Sequence, residues 1–251
     1  VPGETYPSKV SGWFNEIGVN PRRGQPAPKI ILKLDDLQVS GSGIDPDFPI
    51  VADYLQGLGI KASMGIICSS LAQNNAVFES WIINRHNAGW LEFWHHGYLH
   101  TGTEFGSAPY AQQKASLTDG NTLALAHLGF PLESFGSPEN AWNSTTRTVL
   151  AEDPDIRVWL YGDITHPSGK TVLMRAMSDN IEAPTFNPDY KTFIEGYVHN
   201  RGSDYFVLQG HPTHWIVGTD DSRFQQFKSI IGFLRRADTQ AVFVFPTEMI
   251  P

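Results

Sequence analysis

Two adjacent carboxylates, Asp35 and Asp36, close an apolar run at Lys33-Leu34-Asp35-Asp36-Leu37. Successive side chains of an extended chain point to opposite faces, so the pair can divide its work, one acid on a metal and the other free as a base. Taken alone, an Asp-Asp at a strand end is as well explained by a helix cap or a turn. A second cluster, His95-His96-Gly97-Tyr98-Leu99-His100, follows the apolar run Leu91 to Trp94. His96 and His100 stand four apart, the spacing at which one helical turn converges two imidazoles on a divalent ion. His95, next to His96, should point elsewhere and suits a supporting or substrate-binding role. A third apolar run empties into Gln209-Gly210-His211-Pro212-Thr213-His214-Trp215. His211, its backbone stiffened by Pro212, is either a turn histidine or a general acid suited to neutral pH.

Each cluster follows a short β-like run, and such runs alternate with longer amphipathic stretches from Lys29 onward. The strand candidates are Ile30 to Leu34, Ala62 to Ile67, Leu91 to Trp94, Ser134 to Gly136, Val158 to Tyr161, Val172 to Arg175, Tyr205 to Leu208 and Ala241 to Phe245. Helices are expected near 47–58, 76–88, 110–128, 143–152, 188–200 and 221–237. The last is the clearest, because Phe224, Phe227, Ile231 and Leu234 recur at steps of three and four. Residues 1–28 are rich in Pro and Gly and read as an irregular arm, leaving 29–251 as a single α/β domain. Repeated β–α units point to a barrel or a doubly wound sheet, with the site at the C-terminal ends of the strands.

The 251 residues are 41% hydrophobic and 18% charged, which excludes intrinsic disorder. A net charge of −8 with no polybasic run argues against nucleic acid and anionic membranes as partners, and no apolar run approaches a membrane span. No protein partner is implied. The single cysteine, Cys68, lies among Met64, Ile66 and Ile67 and reads as a buried, inert thiol.

The ordered set of Asp35-Asp36, His96-x-x-x-His100, Phe135 to Pro138 and a late Leu-x-x-His-Pro resembles the polysaccharide deacetylase family, carbohydrate esterase family four, with its NodB-homology domain. The resemblance spans about residues 29 to 250. It implies a distorted (β/α) barrel of about seven strands, with Asp35 as general base, Asp36, His96 and His100 as metal ligands, and His211 as general acid. It also implies removal of an N- or O-linked acetyl group from a carbohydrate, by water that a divalent metal activates. Zinc suits two His and one Asp best, with cobalt or nickel as alternatives. The oxyanion would be met by a backbone N–H at Glu139-Asn140, beside Pro138. Polymer substrates of this kind imply a secreted, periplasmic or envelope location.

The chain departs from the family pattern at three places. Leu37-Gln38 replaces Gly-Pro, Gly136 and Glu139 stand where an Arg and an aromatic residue are usual, and Gln209-Gly210 adds a residue before His211. Loss of the Arg is expected to loosen the orientation of Asp35. Asp163, after Val158 to Tyr161, could orient His211. Trp142 and Trp215 flank the motifs and could line a glycan groove, whereas Trp94, inside its strand, suits the core. Three alternatives remain: hydrolysis of a non-sugar or cyclic amide, an inactive carbohydrate-binding member of the fold, or a structural zinc site with His95 or His214 as a fourth ligand.

Overall fold

A computed structural model describes residues 27–175, 180–182, 186–200, 202–236 and 240–251. Of the expected arm, residues 1–26 lie outside the described residues. The strands are β1 (Lys29–Leu37), β2 (Val39–Ser40), β3 (Gly43–Ile44), β4 (Ala62–Ile66), β5 (Leu91–His95), β6 (Ser134–Gly136), β7 (Val158–Leu160), β8 (Thr171–Leu173), β9 (Tyr205–Gly210) and β10 (Val242–Phe243). Seven of them run parallel in the order β9-β1-β4-β5-β6-β7-β8, and β10 pairs with the first two residues of β1. The sheet is nearly closed, a distorted (β/α) barrel. The hairpin β2–β3 and the helix at 102–106 gave no signal in the sequence.

The helices are α1 (Asp47–Gly57), α2 (Ala76–Asn87), α3 (Gly102–Gly106), α4 (Tyr110–Leu128), α5 (Ser144–Glu152), α6 (Tyr190–His199) and α7 (Ser222–Leu234). Their ends follow local chemistry. Asn75 and Asn143 accept the orphan N–H groups that open α2 and α5, and Gly129, at φ +82°, terminates α4. The expected stripe Phe224, Phe227, Ile231 and Leu234 is buried against the sheet. None of the described helices is long and apolar enough to cross a membrane.

Alternation along the strands sorts two apolar layers. Ile30, Leu32 and Leu34 join the core shared with the helices, while Ile31, Trp94, Val158, Leu160, Leu173 and Val207 fill the barrel interior. Lys33 and Asp35 continue the inward set of β1 above Ile31. Val244, Met249 and Ile250 pack against the interior from the opposite end. Between β8 and β9 the described residues show no strand pairing. Side chains cross that gap instead. Tyr161 Oη donates to Val207 O at 2.8 Å, the Met174 N–H to Tyr205 Oη at 3.1 Å, and the Gln209 N–H to Asn180 Oδ1 at 2.6 Å.

One half-buried acid lies at the far end of the barrel from Asp35. Glu92 accepts from Ser134 Oγ at 2.8 Å and from the N–H and hydroxyl of Thr247, yet burial outweighs these bonds and pushes its carboxyl up to about 7. The folded state therefore holds this proton more tightly than the unfolded chain does. Its contribution favours folding below about pH 4.5 and is lost as pH rises through 7, an effect of at most about 3 kcal/mol. Relative to wild type, Glu92→Gln should gain stability between pH 5 and 8, read from urea midpoints. A difference between the two proteins that does not change with pH would contradict this.

Candidate active site

The cleft, of about 680 Å3, opens where β1, β5, β6 and β9 end. Asp35 and Asp36 both line it, although strict alternation would send them to opposite faces. A bulge reconciles the two. Against β4, the register shifts between Leu34↔Met64 and Leu37↔Ile66, and Asp36 takes the left-handed conformation at φ +68°. Asp36 is thereby turned back into the cleft beside Asp35.

His96 enters by ordinary alternation: Glu92, Trp94 and His96 face inward, and Leu91, Phe93 and His95 face the helices. The expected helical turn between His96 and His100 is not formed. Gly97, at φ +75°, and His100, at φ +58°, instead shape a loop. Glu104, at the start of α3, ties that loop, its carboxylate accepting the N–H groups of Tyr98, Leu99 and His100 at 2.5, 3.1 and 3.0 Å. The outcome for the two imidazoles is the same. His96 Nε2 lies 3.1 Å and His100 Nε2 2.8 Å from Asp36 Oδ1, and ligand atoms of the three residues fall within 4.8 Å of one another.

This donor set fits a divalent metal. His96 Nδ1 donates to Gly136 O at 2.8 Å, which leaves Nε2 as the ring atom that faces Asp36 and would offer its lone pair to a metal. Burial alone would raise the carboxyl of Asp36, but hydrogen bonds from His100 and His96 hold it well below the usual carboxylate range. His100 is raised by its bond to Asp36. Among the described residues the group comprises three protein donors, so His95 and His214 are not part of it.

Asp35 is held by a cation after all. Lys33 Nζ, wholly buried, sits 2.6 Å from Asp35 Oδ2, between the rings of Trp94 and Tyr161 at 4.8 and 5.1 Å. Burial lowers the Lys33 ammonium from its ordinary value, and Asp35 opposes that. Gln209 Nε2 donates to the same oxygen at 2.7 Å. Asp35 Oδ1 is buried without a partner. Gly136 is glycine for the same reason: a Cβ there would meet Trp94 Cζ3 at 2.8 Å and Lys33 Cε at 3.3 Å. A side chain at 136 and the Lys33 ammonium compete for one space. The expected loosening of Asp35 is thus offset from its own strand, and the added residue Gln209 contributes to the clamp.

His211 Nε2 lies 3.9 Å from Asp35 Oδ2. The partner that orients its ring is Glu182, not Asp163. His211 Nδ1 and Glu182 Oε2 are 2.5 Å apart, and Glu182 Oε1 accepts the His211 N–H and Trp215 Nε1–H. Burial would lower the imidazole, but the bond to Glu182 and the charges of Asp35 and Asp36 raise it to about 9, so it is protonated at neutral pH. Asp163 instead pairs with Arg147 at 3.2 Å and with His166.

Of the other expected residues, Glu139, Asn140 and His214 line the cleft. Glu139 and Asn140 both take left-handed backbone, at φ +52° and +55°, and the N–H groups of Asn140 and Ala141 are spent on Ser137 O and Pro138 O. Pro138 is buried under Gly97. His95 faces α4, its Nε2 donating to Ser116 O at 3.3 Å, and burial pushes it down to about 4. Gly120 lets α4 cover it, since a Cβ there would lie 2.1 Å from His95 Nε2. Trp142 donates to Tyr161 O at 3.0 Å and packs on Trp159, while Trp215 is buried against Phe227. Neither tryptophan lines the cleft.

No protein-family model and no curated protein matches the chain. Solved structures do. A family 4 acetyl xylan esterase from Clostridium thermocellum, in complex with a cobalt ion, superposes with a TM-score of 0.61 at 19% identity, over 88% of this chain and 89% of that one. A family 4 carbohydrate esterase pseudoenzyme from Bacillus anthracis gives 0.61 at 13% identity, over 90% and 66%. An allantoinase gives 0.65 at 11% identity, over 97% and 96%. Barrel order, helix placement and these superpositions agree: the chain has the fold of the family 4 carbohydrate esterases, the polysaccharide deacetylases.

Proposed function

We propose that this chain is a divergent polysaccharide deacetylase, a metal-dependent hydrolase that releases acetyl groups from a carbohydrate. The observation that carries this reading is one cleft in which Asp36, His96 and His100 face a single point, flanked by Asp35 and His211. A divalent ion held by the three, zinc by the chemistry of two imidazoles and a carboxylate, would polarise the acetyl carbonyl and favour deprotonation of the attacking water. Asp35 Oδ1, unpartnered, accepts that water's proton. At the left-handed Glu139–Asn140 turn, with Asn140 N–H bound to Ser137 O, the Glu139 N–H would be the donor to the developing oxyanion. His211 then gives its Nε2 proton to the departing alkoxide or amine, with Glu182 holding Nδ1. An acetylated polymer as substrate places the enzyme outside the cytoplasm.

The allantoinase superposition supports a second reading, hydrolysis of a non-sugar amide by the same residues. A panel of acetylated polysaccharides and small amides, presented to protein stripped by chelator and reloaded with zinc, separates the two. The deacetylase reading expects metal-restored acetate release, with His96→Ala losing both zinc and turnover. Stoichiometric zinc with no acetate from any N- or O-acetyl sugar would overturn it.

A further inference from the structure

The cleft also holds a cation that has no anionic partner among the described residues. Arg175 lines the cleft, is exposed, and among the described residues forms no ion pair, although Asp35, Asp36, Glu139 and Glu182 line the same space. The other cations nearest the site are matched, Lys33 to Asp35 and Arg147 to Asp163. Arg175 is nonetheless held in place. Its Nη2 donates to Gln209 Oε1 at 2.8 Å, and the guanidinium lies over the Tyr161 ring at 4.8 Å. One of its five donors is thus committed to a neutral group, and the charge and the remaining fork stay available. Its position is specific as well: Gln209 Nε2 reaches Asp35 Oδ2, so Arg175 stands one amide away from the base. Across the mouth, Phe186 is 72% exposed at φ +56°, its ring 6.0 Å from that of His211. A bulky residue in left-handed backbone is costly, and such strain concentrates where ligands bind.

We propose that Arg175 selects a substrate carrying an oxyanion, a uronate carboxylate or a sulfate ester, on or beside the acetylated sugar, with Phe186 receiving the apolar face of the ring. The inference rests on the deacetylase reading for the reaction but not for the binding. A fixed guanidinium fork recognises a carboxylate bidentately, and in an acidic cleft the same charge offsets the repulsion that an anionic polymer would otherwise meet.

The test is equilibrium binding to the zinc-loaded protein, with unacetylated oligogalacturonate, a sulfated oligosaccharide and neutral xylo-oligosaccharide of matched length as probes. Wild type should bind at least one anionic probe about tenfold or more tighter than the neutral one, with the preference shrinking as salt rises. The tighter anionic probe identifies the oxyanion. Arg175→Gln should reduce the preference to near unity, and Arg175→Lys should retain part of it. Equal affinity for all three probes in wild type, or an undiminished preference in Arg175→Gln, overturns the proposal. Acetate release from acetylated polyuronate and acetylated xylan is measured beside it. No acetate from either substrate counts against the deacetylase reading, while the affinity ratio still decides the role of Arg175.

Discussion

Asp35→Asn should leave zinc uptake intact and lower acetate release by roughly three orders of magnitude, the middle of the range that general base catalysis contributes. The substitution is close to isosteric. The amide oxygen can take the place of Oδ2 and go on accepting from Lys33 and Gln209, which lie at 2.6 and 2.7 Å. The amide nitrogen then occupies the place of Oδ1, and a donor that cannot bind a proton replaces the one free acceptor of the site. Asp36, His96 and His100 keep their positions, so zinc stoichiometry after dialysis should equal that of wild type. Normal turnover in Asp35→Asn would remove Asp35 from the role of base, and lost zinc would show that Asp35 is part of the metal site.

Lys33→Met should be the second most damaging change, although Lys33 reaches no substrate. Methionine fills a similar volume but leaves the Asp35 carboxylate with Gln209 as its remaining donor, and removing one member of a buried pair costs about 3–5 kcal/mol of stability. With the carboxylate free to rotate, its approach to the water is no longer fixed, and an error of about 1 Å costs roughly 100-fold in rate. The loss should fall on kcat with little change in KM and none in zinc affinity, which separates positioning from general damage. Lys33→Arg restores the charge and should recover part of kcat. A Lys33→Met protein that folds and turns over at the wild-type rate would show that Gln209 alone holds the base.

The sequence exposed those residues whose chemistry sits at strand ends. Asp35, Asp36, His96, His100 and His211 follow apolar runs, and the parallel strands deliver all five to one cleft. Lys33 was equally legible in principle, because it stands two residues before Asp35 and so faces the same way; a charged residue in the inward set of a buried strand needs a partner. Glu182 was not legible. It lies in the irregular stretch between β8 and α6, where no periodicity places a side chain, and Asp163 was the nearer guess by strand order. Glu104 escaped notice because the loop it braces was read as a helix, although Gly97 between the two imidazoles argues against that helix. The tryptophans were misplaced for the opposite reason. Proximity in sequence to a motif says little about which layer a large ring fills, and Trp142 and Trp215 went to packing.

The bulge at Asp36 makes the site a matter of chain length as well as of residue identity. Three steps along β1, from Leu34 to Leu37, answer two along β4, from Met64 to Ile66. Deleting one residue there would restore a regular ladder while keeping every other functional side chain in the polypeptide, and whatever followed Asp35 would turn toward the helices. The two imidazoles and the base would then keep their cavity but lose the carboxylate that completes the metal site. A single surplus residue sets the distance between the two halves of the chemistry.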